Sequence, residues 1–180
     1  MTLNEAKIAK EKANDFAFVK NQMEKISQQT DSPQVIAPPP LIYLSGLVVG
    51  IVLHWFEPVT FLPDKLALPL GATLVAVSVV LVIVAMRTFV RAGTNIDVRK
   101  PTTNIVKTGP YRFTRNPIYL SMTLFVLGIT AWLNSLWILI TLVPVLFVIG
   151  FGVIKREEAY LVKKFGEEYV LYKSKVRRWL

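Results

Sequence analysis

Residues 118–154 read IYLSMTLFVLGITAWLNSLWILITLVPVLFVIGFGVI, and this stretch decides the fold. It consists of two apolar runs, 118–133 and 136–154, separated only by Asn134 and Ser135. Runs of this length and apolarity are typical of membrane-spanning helices. Because a two-residue connection leaves the chain no room to travel, the stretch predicts an antiparallel helical hairpin.

Two further apolar runs, 41–56 and 66–90, precede the hairpin. The first would cover roughly 24 Å as a helix, slightly less than a ~30 Å hydrocarbon core, so we expect Tyr43 and Trp55 to anchor its ends at the membrane interfaces. The whole chain is 53% hydrophobic and only 18% charged, an excess of apolar residues over a soluble domain of this size. The sequence therefore predicts an all-α membrane protein with about four transmembrane helices, within a domain spanning 41–180.

Residues 1–40 form a separate N-terminal arm in this prediction. Residues 2–28 are expected to be helical, because apolar residues recur at three- and four-residue steps: Phe16, Val19, Met23 and Ile26. This stripe suits three roles: lying on the bilayer, pairing with a second copy in a homo-oligomer, or packing on the body of the protein. The alternative is a peripheral or partly disordered arm. Pro33 and the run 38–40 predict a stiff linker after it. The arm shows no pattern of a cleavable signal peptide.

The distribution of charge predicts the orientation in the membrane. Residues 87–116 carry seven Lys and Arg against one Asp, and residues 155–180 carry eight against four Glu. By the positive-inside rule, the connector 92–117 and the C-terminal tail are cytoplasmic, and four spans place the N-terminus there as well. Since the basic residues gather beside spans rather than along a soluble face, nucleic acid is not a predicted partner.

The C-terminal tail is predicted to be helical and amphipathic. Its apolar residues recur at helical steps: Leu161, Phe165, Tyr169, Tyr172 and Val176. This stripe would face either the membrane or the connector, and Gly166 is a candidate break between two helices. Because the connector and the tail share the cytoplasmic side, they can meet, and their meeting place is the candidate site.

Two motifs within these segments carry chemistry. The first runs from Thr108-Gly109-Pro110-Tyr111-Arg112 to Arg115-Asn116-Pro117-Ile118-Tyr119. Pro117 stands where a helix should begin, and the free N–H groups of that helix start suit an anion. The alternative is an interfacial turn anchored by arginine and tyrosine. The second motif is Glu157-Glu158, which at the membrane boundary needs cationic partners, either connector arginines or the ammonium group of a ligand.

Other kinds of site have little support in the sequence. Without cysteine the chain has no disulfide, no thiolate nucleophile and no cysteine-based metal site. Its single histidine, His54, cannot form a zinc site alone and is expected at the membrane interface beside Trp55.

Taken in order, these motifs resemble the isoprenylcysteine carboxyl methyltransferase family and the related phospholipid methyltransferases. The resemblance covers residues 94–179: Gly-Pro-Tyr-Arg, Arg-Asn-Pro-x-Tyr, then Glu-Glu, Phe-Gly-Glu-Glu-Tyr and a closing Arg-Trp. It implies an integral membrane enzyme whose connector and tail enclose S-adenosylmethionine, while a lipidic or small apolar substrate enters from the bilayer. By position, it implies cofactor contacts at Thr103, Asn104, Ile105, Val106, Tyr111, Asn116, Pro117, Ile118, Tyr119 and Glu157.

The resemblance also implies the candidate catalytic residues Asn116, Tyr119 and Arg156. The family usually has His at the position of Asn116, and only His can take a proton near neutral pH. The family's substrate-side arginine falls on Val153, with Arg156 nearby. An already ionised carboxylate acceptor needs no base, so the expected activity is carboxyl O-methylation of isoprenylcysteine or a similar apolar carboxylate. The alternatives are N-methylation of a phospholipid such as phosphatidylethanolamine, and a non-enzymatic scaffold that binds anionic lipids.

Overall fold

The computed structural model describes residues 12, 14–23, 32–94 and 102–179, and these form an all-α fold. A helix over residues 14–23 (α1) exposes Phe16, Val19 and Met23, whereas Ile26 lies outside the described residues. The other α-helices are α2 (Pro39–Phe56), α3 (Asp64–Arg91), α4 (Pro117–Trp132), α5 (Leu136–Val148), α6 (Lys155–Phe165) and α7 (Glu167–Lys175). A 3₁₀ turn, Gly109–Arg112, lies in the connector, whose residues 95–101 lie outside the described ones, and a π-helical turn, Ile149–Ile154, joins α5 to α6.

Among the described residues, three helices are long and apolar enough to cross a membrane: α2, α3 and the continuous helix Leu136–Phe165. The apolar helix α4 is shorter, with 16 residues. The predicted fold class is confirmed: this is an all-α membrane protein. The last apolar run differs from the expectation in one respect, because the helix does not end at Ile154 but continues through the π-helical turn into charged α6. Glu157 and Glu158 are therefore carried on a rigid extension of a span.

Close helix packing holds the apolar part together. α3 packs mainly on α4, and α2 packs mainly on α5. A methyl group on Gly71 would lie 2.6 Å from the backbone nitrogen of Trp132, and one on Gly50 would lie 2.7 Å from the Cα atom of Ile138. Glycine at these two positions allows the backbones to approach, as is common between membrane helices.

The turn between α4 and α5 also holds the loop that follows α2. Asn134 adopts a left-handed φ of 48°, and its Oδ1 atom accepts hydrogen bonds from the N–H groups of Phe61 (3.1 Å) and Leu62 (2.9 Å). Ser135 caps α5 by accepting from Ile138 N at 3.4 Å. The predicted tight turn at Asn134-Ser135 is confirmed.

Two buried clusters hold the connector and the C-terminal tail against the helices. The larger one, which includes Tyr43, Tyr119 and Ile149, joins α2, α4, α5 and the π-helical turn, and Trp179 packs against it. The smaller one consists of Ala85, Val106 and Tyr111 and fastens the connector to α3. Gly166, with φ of 55°, separates α6 from α7, as the sequence predicts. Connector and tail thus fold back onto the same end of the helices.

Candidate functional site

A cavity of about 330 Å³ lies between the connector, the start of α4, the tail helices and the proline-rich linker. Its lining combines two acids, one arginine and many apolar or aromatic groups. The lining residues are Pro33, Pro38, Pro39, Pro40, Phe89, Thr102, Asn104, Ile105, Val106, Tyr111, Arg115, Asn116, Pro117, Ile118, Tyr119, Met122, Glu157, Glu158, Tyr160, Leu161, Tyr169 and Tyr172. The predicted meeting of connector and tail is therefore present, and it encloses space.

Tyr119 and Glu157 form the polar centre of this cavity. The Tyr119 hydroxyl donates to Glu157 Oε1 at 2.5 Å, which joins α4 to α6. The Tyr119 carbonyl accepts hydrogen bonds from the hydroxyls of Tyr43 (3.2 Å) and Thr123 (2.9 Å). Within the described residues only Tyr119 donates to the Glu157 carboxylate, so the carboxylate keeps acceptor capacity for a cationic ligand.

Glu158, the other acid of the pair, has a different environment. It is only 5% exposed and contacts three cations. Arg178 donates from Nε at 3.0 Å and from Nη2 at 2.8 Å, a bidentate arrangement, and Lys173 Nζ lies 3.3 Å away. Arg115 Nη1 lies 3.0 Å from Oε1 as an ion pair, although its direction does not satisfy hydrogen-bond geometry. Glu158 therefore anchors the tail, which leaves Glu157 as the acid available to a ligand.

Asn116 is engaged in holding the C-terminal segment. Its Nδ2 atom donates to the carbonyl of Arg178 at 2.9 Å, and the Thr114 hydroxyl donates to the same carbonyl at 3.1 Å. One residue earlier in the tail, Arg177 accepts from the N–H of Arg115 at 2.9 Å. The amide that stands in the position of the family's usual histidine is thus a structural donor at the cavity wall.

Aromatic rings form the side of the cavity next to the connector. The rings of Tyr111 and Phe89 have centroids 5.0 Å apart at 46°, and Tyr172 donates its hydroxyl to the Tyr111 carbonyl at 2.7 Å. Burial raises the pKa of Tyr111 and of Tyr172 well above the ordinary value for tyrosine, so both hydroxyls stay protonated at neutral pH. Together with Ile105 and Val106, these aromatic residues form a largely apolar wall of the cavity.

Nine of the residues predicted to bind the cofactor line the cavity: Asn104, Ile105, Val106, Tyr111, Asn116, Pro117, Ile118, Tyr119 and Glu157. Thr103 does not, because its hydroxyl donates to the carbonyl of Gly93 and its N–H donates to Thr94. Arg156 also lies outside the lining, and its Nη1 atom donates to the carbonyl of Gln34 at 2.8 Å. Of the three candidate catalytic residues, the structure brings Tyr119 and Asn116 together and leaves Arg156 apart.

Several lining residues were not singled out as site residues from the sequence. For Leu161, Tyr169 and Tyr172 a signal existed, since they belong to the helical stripe of the tail, and the stripe faces the connector. The linker prolines gave no such signal, because a proline run predicts only stiffness.

A second cavity, of about 460 Å³, lies between α2, α3 and α4. Its walls are almost entirely apolar and consist of Pro40, Tyr43, Leu44, Leu47, Ser78, Val79, Val82, Ser121, Met122, Phe125 and Val126. Pro40 and Met122 line both cavities. The first cavity, called the polar chamber below because it contains the Tyr119–Glu157 pair, therefore adjoins an apolar cavity among the membrane helices.

Comparison with known proteins gives three findings. The sequence pattern of the phospholipid methyltransferase family matches residues 66–168. The protein-S-isoprenylcysteine O-methyltransferase of Saccharomyces cerevisiae is 32% identical over 117 residues, which cover 64% of this chain and 49% of the yeast protein. An uncharacterized protein of Haemophilus influenzae is 46% identical over 63 residues, which cover 35% of this chain and 100% of that protein. A search of the solved structures gives no significant match.

Proposed function

Because the chain belongs to the phospholipid methyltransferase family and is therefore a membrane methyltransferase, we propose that it transfers a methyl group from S-adenosylmethionine to the carboxylate of a lipidic acceptor such as an isoprenylcysteine. The observation that carries the proposal is the position of Glu157, which Tyr119 holds at the wall of a cavity with aromatic and apolar faces. The yeast isoprenylcysteine enzyme is 32% identical to this chain over about half of its own length. This similarity supports the choice of acceptor.

The residues of the cavity fit the chemical groups of S-adenosylmethionine. Glu157 suits the ammonium group, because a carboxylate in a water-poor site gains most from a cationic partner. The first turn of α4 after Pro117 offers N–H groups and a partial positive charge, which suit the carboxylate. Tyr111 with Ile105 and Val106 would hold the adenine ring.

When bound, S-adenosylmethionine would supply an electrophilic methyl group on a positively charged sulfur. The aromatic wall of Tyr111 and Phe89 favours a cation by about 0.5–2 kcal/mol. The chain's own contribution is to align the acceptor oxygen with the methyl group and to exclude water from the cavity. For a carboxylate acceptor, a methyl–oxygen bond would form as the methyl–sulfur bond broke, S-adenosylhomocysteine would leave, and no proton would have to be removed.

The absence of a proton transfer agrees with the residues at the site. The described lining residues include no histidine, the amide of Asn116 cannot act as a base, and the carboxylates of Glu157 and Glu158 are assigned above to a ligand ammonium and to three cationic side chains. An ionised carboxylate reacts without one, whereas the ammonium of a phospholipid headgroup must first lose a proton. N-methylation of such a headgroup is the second candidate, and the name of the matching family favours it.

The apolar cavity supports a lipidic acceptor. Because it adjoins the polar chamber at Pro40 and Met122, a lipid chain lying between α2, α3 and α4 would present its polar end to Glu157 and Tyr119. We also propose that the connector and both termini are cytoplasmic, following the excess of basic residues there. The exposed apolar residues of α1 are the proposed oligomerisation surface.

Titration of the detergent-purified protein with S-adenosylhomocysteine, followed by calorimetry, tests cofactor use. The wild type should bind, and Glu157→Gln should weaken binding at least about tenfold, since it removes a charged partner of the ligand ammonium. Glu167→Gln is the matched control, because Glu167 is exposed and lies outside the cavity lining. A folded wild type that ignores this ligand would overturn the proposal.

The acceptor is tested by mass spectrometry after incubation with isotopically labelled methyl donor. N-acetyl-S-farnesylcysteine and phosphatidylethanolamine are offered in parallel, and we expect label on the farnesylcysteine as a methyl ester. Label on the amine would support the second candidate instead. Salt-sensitive binding to anionic vesicles with no methyl transfer to either compound would favour the scaffold.

A further inference from the structure

The proline-rich linker, whose last two residues begin α2, is part of the cavity wall. Pro33, Pro38, Pro39 and Pro40 all line the cavity, although they precede residues 66–168, the part that matches the family. Prolines have a fixed φ and lose little conformational entropy on ordering, so a proline-rich segment makes a rigid wall once its ends are fixed. The linker therefore lines the site although it lies outside the part of the chain that matches the family.

Two contacts fasten the linker to the helix that carries Glu157. Ile36 packs so closely on Gly152 that a methyl group there would lie 2.5 Å from the Ile36 Cδ1 atom, and the N–H of Ile36 points to the Gly152 carbonyl at 3.5 Å. Arg156 Nη1 donates to the Gln34 carbonyl at 2.8 Å. Gly152 lies in the π-helical turn and Arg156 in the first turn of α6, so the two contacts fasten the linker to consecutive turns of one continuous helix.

The position of Pro40 shows which part of the site the linker bounds. Pro40 lines both the polar chamber and the apolar cavity, opposite Met122. The linker thus ends where the polar end of a lipid would pass from one cavity to the other. The surfaces assigned above to the adenine, formed by Tyr111, Ile105 and Val106, come from the connector instead.

We propose that residues 33–40 form the acceptor-side wall of the cavity and that Arg156 is the positioning residue that fastens them. This inference rests on the proposed function for the identity of the acceptor. Arg156 does not touch the reacting groups; it acts by keeping the wall in place. When the fastening is lost, the acceptor must bind to a smaller population of closed cavities, and its apparent affinity falls by that fraction.

The first test measures the wall directly. Because the chain has no cysteine, Gln34→Cys places a single spin label on the linker, at an exposed side chain whose backbone carbonyl remains available. We expect an immobilised label in this background, a mobile one after Arg156→Met, and immobilisation again with Arg156→Lys, which keeps a donor. The control is Lys155→Met, which removes the same charge at an exposed position next to it without touching the linker. Equal label mobility in Arg156→Met and Lys155→Met would overturn the fastening.

The second test separates acceptor from cofactor. In the otherwise wild-type protein, Arg156→Met should raise KM for farnesylcysteine about three- to tenfold, in keeping with the loss of one solvent-exposed hydrogen bond, and leave the affinity for S-adenosylhomocysteine unchanged. Arg156→Lys should restore KM. An unchanged KM together with a mobile label would overturn the role of the wall. A wild type that fails to bind S-adenosylhomocysteine would defeat the proposed function and leave the result of the spin-label test standing.

Discussion

Tyr119 on α4 donates a 2.5 Å hydrogen bond to Glu157 on α6, and this bond closes the cavity between the two helices. Replacement of Tyr119 by Phe removes the donor and keeps the ring. We expect S-adenosylhomocysteine affinity to fall about ten- to a hundredfold, because Glu157 loses the bond that orients it, and a hydrogen bond to a charged group contributes about 1.5–3 kcal/mol. Calorimetry on the variant measures the loss.

A thermal-unfolding scan is the companion measurement for Tyr119→Phe. The ring stays packed in the core with Tyr43 and Ile149, so the melting temperature should fall only slightly. If affinity is unchanged while the melting temperature drops, the hydroxyl serves the fold alone and the assignment of Glu157 loses its support.

Glu158 is predicted to matter for stability rather than for binding. Glu158→Gln leaves Arg115, whose side chain is 8% exposed, without its counter-ion, and breaking a buried pair in this way costs about 3–5 kcal/mol. Arg178→Met should cost less, because the Arg178 side chain is 40% exposed and Glu158 keeps Arg115 and Lys173. Chemical denaturation of the two variants in detergent should give that order.

The exposed pair between Lys107 and Glu168 is the control for this order. The two side chains are 42% and 58% exposed and lie 2.7 Å apart. Exposed pairs contribute about 0–1 kcal/mol, so Lys107→Met should unfold close to the wild type. A loss as large as that of Glu158→Gln would show that the charges act through the overall charge of the connector and tail and not through burial.

Much of this fold could be predicted because membrane helices are coded locally. Long apolar runs predict helices wherever they occur, and proline or paired polar residues such as Asn134-Ser135 mark their ends. The residues of the chamber could be proposed for a related reason: Tyr111, Tyr119 and Glu157 belong to short motifs whose order resembles a known family. Both kinds of signal are local, because each is contained in one continuous stretch of the sequence.

The meeting of connector and tail was predicted, but most of the individual contacts between these distant segments were not. The amide of Asn116 binds the carbonyl of Arg178, 62 residues later, and no local pattern marks a backbone carbonyl as a partner. The π-helical turn at Ile149–Ile154 was not predicted either. It inserts an extra residue into the helix, so a regular count of 3.6 residues per turn does not give the direction of Arg156. Arg156 consequently meets the linker rather than the chamber.

Gly71 is predicted to be required for the packing of α3 on α4. An Ala side chain there would lie 2.6–2.7 Å from the backbone of Trp132, which cannot move away as a flexible side chain would. We expect Gly71→Ala to destabilise the protein by about 1–3 kcal/mol through overpacking. Gly150→Ala is the matched control, because nothing lies within 4 Å of the added methyl group, and in a helix it should be neutral or stabilising by up to about 1 kcal/mol. Thermal unfolding of both variants decides, and equal melting temperatures would contradict the packing argument.

Buried tyrosines predict a loss of stability at alkaline pH. Burial raises the pKa of Tyr169 to about 12 and lifts the pKa of Tyr172 above its ordinary value as well. In the unfolded chain these phenols ionise near pH 10, so the unfolded state releases protons first, and stability that is complete below pH 10 declines as pH rises towards 12. Tyr172→Phe removes one such group and also the bond to the Tyr111 carbonyl. Its stability should therefore be lower than that of the wild type at pH 8 but fall less steeply above pH 10. Denaturation curves at pH 8, 10 and 11 measure both quantities, and parallel pH profiles for the two proteins would show that Tyr172 is not buried as a neutral phenol.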